Sequence, residues 1–181
     1  MVLIEKILLK FRQIDEYLSI LRKISKTPKE TFLMDKILIG SAKYYLQISI
    51  ECCLDVANLI IASEKLRAPR DYADTFLVLQ EEGLISSELG TRLRRMAKFR
   101  NRLVHLYGEI DNDYIYEYIK GDLKDLEEYK KVIIKSYKIW SLITTIWYKT
   151  PLIFILPFNR ELTNLRWDYQ FKDIPIESRW R

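Results

Sequence analysis

Apolar residues recur with helical spacing along the first 24 positions, at Leu3, Ile4, Ile7, Leu8, Phe11, Ile14, Leu18 and Leu21. Lys, Arg, Glu and Asp fill the other face, which predicts an amphipathic helix over residues 2–24 with one buried stripe. Thr27-Pro28-Lys29-Glu30 reads as a fresh helix start: Thr27 caps, Pro28 suits the first helical position and Glu30 completes a capping box. The helix it opens runs to about Glu64 and carries Ile37, Leu38, Tyr45, Leu46, Cys53, Val56 and Ile60. Because it is apolar on more than one side, it is expected to span the domain and touch several partners. Ala68-Pro69 breaks the chain, and a short helix follows from about Arg70 to Glu82, where Gly83 stops it. Ser86 caps a fourth helix, with Leu89, Leu93, Met96, Ala97 and Leu103 inside, that ends just before Gly108. Asp111 or Asn112 caps a last long helix with Ile115, Ile119, Leu123, Leu126, Ile133, Tyr137 and Trp140 facing inward. It bends or ends by Thr150, since Pro151 disfavours helix at the residue before it.

Five helical segments predict an all-α chain. A chain of 181 residues suits one domain with enough length for a proper core, here residues 1–145, with 146–181 as a C-terminal extension. Only 5 Gly and 5 Pro argue against a turn-rich β fold. From Pro151 onward the character changes: Trp167, Trp180 and little periodicity fit either an extended arm, packed on the domain or on a partner subunit, or a floppy tail. At 49% hydrophobic and 30% charged, the composition is that of a soluble globular domain. The most apolar window, Ile139 to Phe158, is interrupted by Lys149, Pro151 and Pro157, which makes a poor transmembrane span. Glu5, Lys6 and Lys10 break the first apolar stretch, so no signal peptide and no membrane association are expected. Cys52 and Cys53 are adjacent, which rules out an ordinary structural bridge between them, and neither belongs to a CxxC pair. Reduced thiols in a helix, at least one of them buried, fit the cytoplasm.

The chemistry concentrates in Arg100-Asn101-Arg102-Leu103-Val104-His105-Leu106-Tyr107, which holds the only histidine of the chain. Histidine suits proton transfer near neutral pH, and arginine suits stabilisation of phosphorane charge because its guanidinium stays protonated and grips phosphate. Metal-free RNA cleavage needs one group to take the 2′-OH proton and another to protonate the leaving oxygen. One histidine per chain is too few for both, so two chains across a twofold axis, bringing two His and two Arg to one cleft, are a mechanistic expectation. Five residues along a regular helix separate Arg100 and His105 by about 140°, so either the helix loosens near Gly108 or the two side chains border one groove from opposite edges.

Plainer readings stand beside these. A histidine at a helix C-terminus also interacts with the dipole and caps carbonyls. The basic run Arg92, Arg94, Arg95, Lys98, Arg100 and Arg102 fits a solvated face, Asn101 a surface amide, and Tyr107 a core or interface aromatic among 12 Tyr. Glu51 and Asp55, one turn apart amid apolar residues, need partners if buried, and Arg100 or Arg102 is a suitable one. The net charge of +5 is a mild hint of an anionic partner.

The Arg100–Tyr107 stretch matches the R-x4-H-x-Y signature of HepT toxins, a branch of the HEPN ribonucleases. Residues Ile50 to Asn58, Leu66 to Tyr72 and Asp122 to Leu126 agree with the same family, and the resemblance runs from about residue 1 to 140. It implies a four- or five-helix bundle that dimerises and a metal-independent endoribonuclease needing no cofactor, the toxin of a type VII toxin–antitoxin pair acting on RNA. Arg100 and His105 would be catalytic and Asn101 a supporting polar group, with Glu51, Asp55 and Arg102 around them. Tyr107 would accept AMP from ATP through MntA, a minimal nucleotidyltransferase antitoxin, placing a bulky anion where RNA phosphate must sit. A non-catalytic bundle that only docks such a nucleotidyltransferase is the competing function. The chain after about residue 145 departs from the usual family length.

Overall fold

The computed structural model describes residues 2–105 and 110–136, and every secondary-structure element among them is helical. Seven helices follow in order: α1 Val2–Ile24, α2 Lys29–Met34, α3 Lys36–Ser63, α4 Tyr72–Glu81, α5 Ser87–His105, α6 Asn112–Gly121 and α7 Leu123–Ser136. The sequence pattern counts five, because two of its long helices are each cut once. The first cut is at Asp35. Its backbone is extended (φ −98°, ψ 101°), and its carboxylate accepts from the Ile37 and Leu38 N–H groups at 2.8 and 3.1 Å. A short acidic side chain that satisfies the orphan donors of a new helix competes with continuation of the old one. The second cut is at Gly121 and Asp122. Glycine is a weak helix residue, and Asp122 closes α6 by donating its N–H to Tyr118 O at 3.0 Å.

The Thr27 cap and its capping box do not form. Pro28 occupies the cap position of α2 without a side-chain bond, and the Thr27 carbonyl instead accepts the Tyr116 hydroxyl at 2.8 Å. Other signals hold. Gly83 ends α4 in the left-handed region (φ 69°), Ser86 Oγ accepts the Leu89 N–H, and Asp111 caps α6. Tyr137, Trp140, the expected continuation to Thr150 and the segment 146–181 lie outside the described residues.

Helix α3 is the hub. It touches all six other helices, and its buried residues, Cys52 and Val56 as well as Ile50 and Leu54, spread over about 200° of its circumference rather than along one stripe. That geometry explains why its sequence lacks a single apolar face: each side has a different neighbour. Its length and composition would also allow it to cross a membrane, and in this bundle more than half of its most apolar window is covered by the other helices. Helix α1 lies along α3 through Ile7, Phe11, Ile14, Leu18 and Leu21, all buried. Tyr129 of α7 meets Phe76 of α4 edge to face, and its hydroxyl donates to Cys53 O at 3.3 Å. Ile37, at the start of α3 just after the cut at Asp35, is 80% exposed, as is Met34 at 85%.

Helices α4 and α5 pack as a pair. Gly90 permits the close approach, since a Cβ there would sit 2.5 Å from Gln80 Oε1. The connection from α3 is fastened by Arg67, whose guanidinium forks onto Asp74 at 2.7 and 2.9 Å and reaches Glu81 at 2.7 Å. These bonds, with the Arg70 backbone N–H, hold the Asp74 carboxyl down at about 2 from its ordinary 3.8. A depressed carboxyl contributes stability above its unfolded pKa and loses that contribution as pH falls through the folded value. Asp74→Asn is therefore expected to lower Tm near neutral pH, with the deficit shrinking as pH drops from 3.8 toward about 2. A deficit that stays constant across that window in thermal melts would show that the fork contributes nothing through ionisation.

Candidate functional site

The expected site residues lie on two crossing elements, the middle of α3 and the second half of α5. Helix α5 turns Leu89, Leu93, Met96, Phe99 and Leu103 into the core, which fixes the direction of every other side chain on it. Arg100 falls within that core-facing arc, and its side chain is only 13% exposed. A guanidinium cannot lose its proton at ordinary pH, so it needs a counter-charge there. Glu51 of α3 supplies one: its Oε2 lies 2.6 Å from Arg100 Nη2, short but not aligned as a hydrogen bond. The Tyr72 ring, at the start of α4, covers the guanidinium with 4.9 Å between its centroid and Cζ, a cation–π contact. Asn101 Oδ1 accepts weakly from Nη1 at 3.5 Å. The Arg100 Nε is buried with no acceptor among the described residues.

The sequence reading of Glu51 as a partner of Arg100 thus holds, whereas Asp55 does not share that arginine. One turn further along α3, Asp55 pairs with Lys10 of α1 at 2.7 Å, and the carboxylate raises the pKa of that ammonium. Asp55 ties α1 to α3 and stays apart from Arg100. Tyr72 and Lys10 were missed from sequence. Neither carries a spacing signal, because each meets its partner across a helix–helix contact set by tertiary rotation.

His105 is the last residue of α5 and is exposed. Among the described residues none bonds to its imidazole, so it is accessible to a ligand. The helix stays regular through His105, so the separation of about 140° from Arg100 persists and the two side chains face different sides of α5. Arg102 is exposed near the same end, and Tyr107 lies outside the described residues. Among the described residues no group of three or more His, Cys, Asp or Glu side chains is placed to share a metal ion. Cys52 and Cys53 are both free and buried, and burial pushes both thiols up, which disfavours a nucleophilic role.

The described residues thus combine an all-helical bundle, a largely buried guanidinium and an exposed imidazole at the end of a basic helix. The sequence model of the family described as "Ribonuclease HepT-like" matches residues 14–133, about two thirds of the chain, and the chain belongs to that family. Among relatives, an mRNA nuclease HepT from Shewanella oneidensis is 33% identical over 102 residues, covering 56% of this chain and 77% of the relative. A tRNA nuclease HepT from Aphanizomenon flos-aquae is 27% identical over 128 residues, 70% of this chain and 85% of its own. Among solved structures, a toxin–antitoxin complex with AMP-PNP aligns with a TM-score of 0.68 at 28% identity, over 71% of this chain and 97% of the other. A tri-AMPylated Shewanella oneidensis HEPN toxin in complex with MNT antitoxin aligns at 0.67 and 29% identity, over 71% and 96%.

The Glu51–Arg100 pair makes a measurable claim about the scaffold. Removing Glu51 leaves a largely buried guanidinium without its counter-charge, so Glu51→Ala is expected to cost about 1–3 kcal/mol in denaturant unfolding. Combining it with Arg100→Ala removes both charges. The double variant should be more stable than the sum of the single losses predicts, with a coupling of about 0.5–3 kcal/mol. Strict additivity would mean that the two groups do not interact.

Proposed function

We propose that this chain is a metal-independent endoribonuclease, the toxin of a HepT/MntA-type toxin–antitoxin pair. The observation that carries the reading is an open imidazole at the end of α5, five residues after a largely buried arginine held by Glu51 and Tyr72. The family and the nuclease names of its relatives support it. In this reading His105 carries the proton, taking it from the 2′-OH or giving it to the leaving 5′-oxygen. Arg100 stabilises the charge that builds on the phosphorane, and Asn101 and Glu51 keep its guanidinium oriented. Because Arg100 and His105 face different sides of α5, one protomer does not bring its own pair together on a single helix face. A twofold dimer supplies what is lacking: two imidazoles, one as base and one as acid, in a shared cleft. No cofactor is needed for this transesterification, and the enzyme acts in the cytoplasm, where its RNA substrate is.

Control falls to Tyr107, two residues past His105. AMP placed there by an MntA-type nucleotidyltransferase adds negative charge and bulk beside the imidazole, and RNA phosphate is then repelled. That one of the similar solved structures is a tri-AMPylated toxin bound to its antitoxin supports this regulation. A helical module that only docks the nucleotidyltransferase is the rival, and it requires no accessible imidazole.

Expression of the chain without its partner is expected to arrest growth, and His105→Ala to relieve the arrest by cutting the cleavage rate about 10²–10⁴-fold. Equal arrest from the variant, or none from the unaltered chain, would remove the nuclease assignment. Co-expression with the nucleotidyltransferase should restore growth and leave AMP on Tyr107 in a peptide mass spectrum. Rescue with an unmodified tyrosine would leave docking alone as the mode of control.

A further inference from the structure

Helix α5 carries six cations and one carboxylate, Glu88, and the structure sorts the cations into two groups. Arg92 and Arg100 are partnered: Arg92 bridges Asp125 and Glu128 of α7, and Arg100 meets Glu51. Arg94, Arg95, Lys98 and Arg102 have no carboxylate within ion-pair reach among the described residues. On a regular helix these four and His105 fall within an arc of about 100°, opposite the buried face of α5. The row from Arg95 to His105 is about 15 Å long. Arg95, Lys98, Arg102 and His105 are all exposed.

Such a row is costly to leave bare. Arg94 with Lys98, and Lys98 with Arg102, are like charges four apart, each pair destabilising the helix by about 0.2–0.5 kcal/mol. An ordinary solvated helix mixes signs and recovers that energy as ion pairs. At the start of the row a groove of about 460 Å³ opens between α4 and α5, lined by Arg70, Thr91, Arg94, Arg95 and Lys98, with Asp71 and Asp74. The two carboxylates are already engaged, Asp74 by Arg67 and the Arg70 backbone, and Asp71 as the cap of α4. Arg94 donates to Thr91 Oγ1 at 3.2 Å and has no carboxylate partner among the described residues. The groove therefore keeps donors and positive charge unused.

We propose that this unpaired face of α5, with Arg70 across the groove, is a phosphate-binding track that holds single-stranded RNA on its way to His105. The inference deepens the nuclease reading and rests on it for the identity of the ligand. A single file of cations contacts the backbone and not base edges, so the track positions RNA without selecting sequence. At roughly 3.4 Å of stacked strand per nucleotide, it holds about four nucleotides beside the imidazole.

The test uses a labelled 2′-O-methyl RNA about 20 nucleotides long, which binds as RNA does but lacks the attacking hydroxyl, and follows binding by fluorescence anisotropy against salt. The variant Arg95→Gln/Lys98→Gln/Arg102→Gln changes only exposed residues. Against the unaltered chain, its affinity at low salt should fall about tenfold or more. The slope of log K on log salt should shrink by about 2, the value for three lost phosphate contacts on a single strand. A control with the same charge change elsewhere, Arg12→Gln/Lys23→Gln/Lys26→Gln, should keep the slope. An unchanged slope in the first variant, or an equal loss in the control, overturns the track. Cleavage of ordinary RNA by the unaltered chain is scored in parallel. Intact RNA with the expected slopes would defeat the nuclease reading and leave an RNA-binding track. Cut RNA with coincident slopes would defeat the track and leave the nuclease.

Discussion

The contact between Glu51 and Arg100 joins the hub of the bundle to the helix that carries the proposed catalytic residues. A guanidinium that is 13% exposed cannot be left without a counter-charge, and the carboxylate that answers it comes from the middle of α3, which every other helix touches. With Arg100 tied there and Leu93, Met96 and Leu103 in the core, α5 has one rotation available. Everything on its remaining surface follows. Arg92 turns to α7, His105 emerges at the end, and Arg94, Arg95, Lys98 and Arg102 line up on the far side.

The same constraint separates two duties within one short motif. Arg100 is held by Glu51 and covered by Tyr72, which fits the proposed role of a fixed positive charge. His105 is exposed, which the proposed proton-transfer role requires. A single straight helix does not bring the two to one face, which is why the proposed cleft lies between two copies of the chain.

Helix existence and core membership were legible from periodicity, because a 3.6-residue pattern survives averaging over several turns. Ile7, Phe11, Leu46, Leu93 and Leu126 are all where the pattern puts them. The interruptions were not legible. Around Asp35 the apolar pattern continues on both sides, and only the backbone shows that the aspartate caps a new helix instead of riding on an old one. Gly121 and Asp122 hide in the same way inside a run that keeps its phase. For the site, the Arg–His spacing and the need of Glu51 for an arginine could be read directly, since both are consequences of charge and burial. Tyr72 over Arg100 and Lys10 beside Asp55 could not, because residues 28 and 45 positions apart meet only after the helices have packed.

The most direct measurement is the chemistry of the cut ends. In the proposed mechanism, attack by a 2′-hydroxyl, with proton transfer at His105 and charge stabilisation at Arg100, leaves a 2′,3′-cyclic phosphate on one fragment and a free 5′-hydroxyl on the other, and a chelator does not slow it. Purified protein treated with excess chelator and offered RNA should yield those termini, identified by mass spectrometry. Fragments that instead carry a 3′-hydroxyl and a 5′-phosphate, or cleavage that stops in chelator, would contradict the account at its centre.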